Sequence, residues 1–137
     1  MRIGANPEVI ELRVTEILGP DLPRPGDVRL EFAASVDSFA GSGFCWVGAE
    51  DLEAFAASAR ALQASLTGVA TLESLSPGEM TLSISMANRR GYVQIAFACT
   101  KLGLLRCSMS GTFEVELAVL ADLIAWVEHP MIDTESS

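Results

Sequence analysis

The chain has 137 residues, 50% of them hydrophobic and 20% charged, with 18 acidic against 9 basic residues and a net charge of −9. That length and apolar content suit one globular domain with a proper core and exclude a disordered chain. The acidic balance and the scattered Lys and Arg exclude a nucleic-acid binder, which needs clustered cations to release counterions.

Met1 to Arg13 has no apolar leader segment, and no apolar run approaches the ~18 residues that cross a bilayer, so a cytoplasmic protein without membrane contact is expected. In "VIELRVTEIL" (residues 9–18) Ile10, Leu12 and Val14 alternate with polar residues, which predicts a strand that ends at the turn-forming "GPDLPRPG". Alternation resumes from Val28 to Val36, with Val28, Leu30, Phe32, Ala34 and Val36 on the expected buried side and Arg29, Glu31, Ala33 and Ser35 on the wet side. "GSGFCWV" adds a short extended segment.

"GAEDLEAFAASARALQASLTG" places Leu52, Phe55, Ala56, Ala59, Leu62 and Leu66 at helical steps, which predicts a helix over 50–66, with Gly68 as its stop. Glu50 and Asp51 then fall in the first turn, where carboxylates meet the exposed N–H groups favourably by ~0.3–1 kcal/mol each. "VATLESL" and "MTLSISM" flank the turn "SPGE", and "YVQIAFACT" and "LLRCSMSGTFEV" continue as alternating strands in meander order. "ELAVLADLIAWVEH" is apolar nearly all round and predicts a second, more deeply covered helix over 116–128, closed by Pro130. The expected fold is α+β, a mainly antiparallel sheet of about six strands with two helices in the order β-β-(β)-α-β-β-β-β-α. It forms one domain over 1–130 and ends in a flexible tail over 131–137. "GFCWVGAEDL" and "GTFEVELAVL" hint at a strand-then-helix unit used twice, in a match too short to establish a repeat.

Few residues suit bond-making chemistry. The one histidine, His129, closes the last helix, which argues against a Ser/His/Asp or Cys/His site. Cys45, Cys99 and Cys107 have no CxxC spacing and sit among apolar neighbours, so buried, reduced thiols are expected and no metal. Trp46 and Trp126 read as core-edge residues, and Arg89 and Arg90 in "NRRG" as a solvated turn. No cofactor is expected, and catalysis by carboxylates alone is disfavoured because the acidic residues fall on wet faces.

The order "FAGSGFCWVGAEDLEAF" (residues 39–55), then "GVATLES" (68–74), a Gly-led strand "RGYVQIAF" and a closing apolar helix resembles the WapI-like immunity proteins of bacterial polymorphic toxin systems. The resemblance covers about residues 28–127 and is carried by scaffold positions, most clearly Trp46, Asp51, Leu52, Phe55 and Gly91. It implies a non-catalytic protein that neutralises a toxin domain by stoichiometric binding. The expected partner is a basic protein, met by an acidic surface that includes some of Glu31, Asp37, Glu50, Asp51 and Glu53. The alternative is an acidic chaperone-like protein for a secreted effector. Such proteins begin with a helix, whereas this chain begins as a strand.

Overall fold

The computed structural model describes residues 1–5, 7–88, 91–102 and 106–133, with the side chains of residues 101, 102, 106 and 107 left aside. The first sheet comprises β1 (Arg2–Ala5), β2 (Glu8–Ile17), β3 (Val28–Val36) and β4 (Phe39–Val47), followed by helix α1 (Ala49–Ser65). The second comprises β5 (Val69–Glu73), β6 (Met80–Met86), β7 (Tyr92–Leu102) and β8 (Arg106–Glu116), followed by α2 (Leu117–Glu128). Each sheet is a four-stranded antiparallel meander in chain order.

The class and element order are those expected, but the strands number eight in two sheets rather than about six. Of the two additional strands, β4 is the bracketed segment, a full strand of nine residues, and β1 is the four residues "RIGA", too short to alternate visibly. It exists because Ile3 pairs with Ile10 of β2. The helices match their expected spans to within a residue. The stop of α1 does not. Leu66, rather than Gly68, takes the left-handed C-cap conformation, at φ 59 and ψ 27, and its N–H donates to Leu62 O.

The alternation sets what is buried. Ile10, Leu12 and Val14, then Val28, Leu30 and Phe32, then Leu82, Ile84, Val93, Ile95 and Phe97 all face one continuous core. Leu52, Phe55, Ala56, Ala59 and Leu62 join it from α1, and Leu120, Leu123, Ile124 and Val127 from α2. As its composition predicts, α2 is the more covered helix, exposing only Ala118, Ala121, Asp122 and Ala125.

The strand-then-helix hint extends to the whole fold, which is a ββββα unit made twice. The buried positions Leu52, Phe55, Ala56 and Ala59 of α1 recur at the same steps as Leu120, Leu123, Ile124 and Val127 of α2. In the last hairpin of each unit a phenylalanine opposes a glycine, Phe32 with Gly43 and Phe97 with Gly111.

No side chain caps α1 at its N-cap, Gly48. Instead Asp27, 5% exposed at the end of the β2–β3 loop, accepts the Ala49 N–H on Oδ1 at 3.0 Å, while Arg24 Nε lies 3.1 Å from its Oδ2. At the other end of the chain Asp133 is tied to β2. Its N–H donates to Val14 O and its carboxylate accepts the Val14 N–H, both at 2.9 Å. Residues 134–137 lie outside the described residues. Cys45 is buried and Cys99 only partly so, both as free thiols, whereas the side chain of Cys107 lies outside the description.

Candidate functional site

The five carboxylates that the sequence offers to a partner do not share one surface. Asp37 and Ser38 form the two-residue loop between β3 and β4, with Asp37 at φ 54 and its N–H donated to Pro7 O at 3.0 Å. Glu50, Asp51 and Glu53 are exposed where α1 begins, just beyond the opposite end of that hairpin, at which Val28 pairs with Val47. The nine residues of β3 separate the two ends by roughly 30 Å.

Glu31 lies between them on the outer face of β3, occupied by arginines. Arg29 Nη1 donates to its Oε1 at 3.0 Å, and Arg13 Nη1 lies 3.9 Å from its Oε2. Arg2 likewise pairs with Glu11, Arg24 with Asp27 and Arg60 with Glu128. The positive charge of the described arginines is therefore offset locally. Glu50, Asp51 and Glu53, by contrast, have no ion pair among the described residues; other exposed carboxylates such as Asp21, Glu73 and Glu114 are also unpaired, but these three gather within four positions where α1 starts.

Arg60 joins the two helices by donating from Nε to Glu128 Oε2 at 2.7 Å and from Nη2 to Oε1. These hydrogen bonds hold the Glu128 carboxyl below the usual carboxylate range and raise the Arg60 guanidinium further. Burial pushes the Cys45 thiol up to about 12, with the nearby charge of Glu79 adding to the shift. Burial also raises Cys99, against a hydrogen bond with the backbone of Met109. A thiol raised in this way is protonated at neutral pH and is a poor nucleophile.

The outer face of the first sheet carries two adjoining shallow depressions of about 310 and 320 Å³, which share Glu11, Ala33 and Ser42. One has a floor of small residues, Ala33, Ser35, Ala40 and Ser42, and the other is bounded by Arg13, Glu31 and Phe44. The Arg29 guanidinium stacks 4.1 Å from the centroid of Phe44, which stays 55% exposed, and Phe39 on the same strand is 75% exposed. An exposed aromatic, Phe44, beside arginine and next to a floor that can take an apolar side chain suits contact with another polypeptide.

Sequence reasoning missed this face because "GSGFCWV" shows only a short apolar segment, whose buried side, Cys45 and Val47, is set by the fold. The opposite parity, Ala40, Ser42 and Phe44, carries the surface feature. It also missed Asp27, whose partner Ala49 is 22 residues away, a separation without a sequence signature. Trp46 and Trp126 are half-buried, as expected of core-edge residues, and Arg89 and Arg90 lie outside the described residues.

Among the described residues no helix is long and apolar enough to cross a membrane. Comparison with protein families, with curated proteins and with solved structures finds no match for this chain, so the resemblance to WapI-like immunity proteins stands on its sequence motif alone.

Proposed function

We propose that this is a non-catalytic binding protein of the immunity type, acting in the cytoplasm by stoichiometric capture of a basic toxin domain. The observation that carries the reading is the charge partition. Arg2, Arg13, Arg24, Arg29 and Arg60 are each matched to a carboxylate, while Glu50, Asp51 and Glu53 stand exposed and unpaired at one end of α1. A basic partner approaching that end meets an attractive field, which speeds association more than it strengthens the final complex. Glu31 drops out of the proposed contact set because Arg29 and Arg13 already neutralise it, and Asp37 because it lies at the far end of the hairpin.

The test is capture of the bound chain from the native host, followed by association kinetics. Reversal of Glu50 and Asp51 together to lysine should slow association and flatten its dependence on salt, with folding nearly unchanged. A wild-type association rate indifferent to salt would defeat the electrostatic reading. Turnover of a small substrate, lost when one carboxylate is changed, would replace binding with catalysis.

A further inference from the structure

β4 is an edge strand with features that natural edges usually avoid. Edges are normally blunted by short length, proline, charge or a bulge. β4 runs nine residues, carries no proline and no charged residue, and pairs with β3 in unbroken register from Val28–Val47 to Val36–Phe39. The other edges are managed: β1 has only four residues, β5 packs beside α1, and β8 ends in Glu114 and Glu116.

The parity of β4 determines which of its backbone groups are open. Trp46 O accepts the Leu75 N–H at 2.8 Å, so the Trp46 carbonyl points away from β3. Strand geometry then turns the N–H and C=O of Phe44, Ser42 and Ala40 off the same edge. The side chains of these three residues are exposed on the outer face, while Cys45 and Val47 point to the core.

We infer that two copies of this chain join antiparallel through β4, about a two-fold axis at Ser42, to make one continuous eight-stranded sheet. Ser42 meets its own copy, and Ala40 meets Phe44 of the second copy, in pairs that exchange about six backbone hydrogen bonds. The side chains match in this register. Phe44 is a large exposed knob, and Ala40, with Ala33, Ser35 and Ser42, forms a shallow small-residue hollow at the corresponding place on the second copy. Gly41 opposes Gly43 on the other face, so neither puts a side chain of its own into the seam. Near the axis the outer face is locally balanced, with Arg13 and Arg29 set against Glu31, so the repulsion expected from the net charge of −9 falls on the ends of the seam, where Asp37 of one copy lies beside the start of α1 of the other. The inference does not depend on the toxin-binding reading.

Sedimentation velocity over a wide concentration range tests it. The wild type should pass from monomer to dimer as concentration rises. Ser42→Lys places two ammonium groups together on the axis and should raise the dimer dissociation constant about tenfold or more. Ser42 is exposed and its backbone groups are not used in the β3–β4 ladder, so circular dichroism should be unchanged. Ser42→Cys should cross-link to itself with a short bis-maleimide reagent, above the background that the native cysteines give in the wild type. A wild type that stays monomeric into the millimolar range would overturn the inference. So would a dimer indifferent to Ser42→Lys, or one in which Ser42→Cys does not cross-link, because a different face would then hold the copies together.

Discussion

Phe32 of β3 and Phe97 of β7 meet edge to face, with ring centroids 5.7 Å apart and ring planes at 65°. They hold corresponding places in the two ββββα units, and each stands opposite a glycine, Gly43 or Gly111. At Gly43 the missing side chain leaves room for the ring, since a Cβ there would lie 3.0 Å from Phe32 Cζ, whereas a Cβ on Gly111 would meet nothing within 4 Å. The two sheets thus contact each other through the same residue used twice.

Phe32→Leu and Phe97→Leu should therefore be non-additive. A double-mutant cycle in urea should return a coupling of about 0.5–1.5 kcal/mol, the worth of an aromatic pair beyond its buried area. Additive effects would mean that the rings pack independently.

Leu66→Gly should stabilise the protein by about 1 kcal/mol, seen as a higher midpoint in thermal or urea unfolding. Leu66 sits in the left-handed region at φ 59 and is 47% exposed, so glycine relieves backbone strain and gives up little burial.

Asp27→Ala should cost about 1–3 kcal/mol, because it leaves the Ala49 N–H without its partner at the start of α1. Asp27→Asn retains an acceptor oxygen and loses only the contact with Arg24, whose side chain is 65% exposed. It should stay within about 1 kcal/mol of the wild type. Equal costs for the two variants would assign the role of Asp27 to its charge rather than to the cap.

Phe55→Ala should destabilise by about 3–5 kcal/mol and Leu52→Ala by about 2–5, since both are buried, at 1% and 7% exposure. Glu53→Ala should change little, being exposed on the opposite face of α1. Equilibrium unfolding of the three variants ranks them directly.

Cys45 should stay unlabelled by thiol reagents in the native protein and react on denaturation, as followed by peptide mass spectrometry. Its pKa of about 12 when folded lies above the ordinary 9.0, so the unfolded chain gives up this proton first. Stability from this group is intact below pH 9 and falls by about 1.4 kcal/mol per pH unit as pH rises from 9 toward 12. Cys45→Ala should remove that slope, at the cost of a cavity.

Helix and strand identity, and the buried side of nearly every element, were legible in the sequence because period is a local property. Ile10, Leu12 and Val14 alternate, and Leu52, Phe55, Ala56 and Ala59 step by three and four, whatever the rest of the chain does. The carboxylates at the start of α1 were legible for the same reason. Only the tertiary structure decided that the strands divide into two sheets, that "RIGA" is a strand, that Asp27 caps a helix 22 residues away, and that Glu31 and Asp37 stand apart from Glu50. Each of these depends on pairing between distant segments, whose register is set by the shared core and leaves no periodic trace in either segment. The open edge of β4 belongs with them, since a strand becomes an edge only through the neighbours that the whole fold assigns to it.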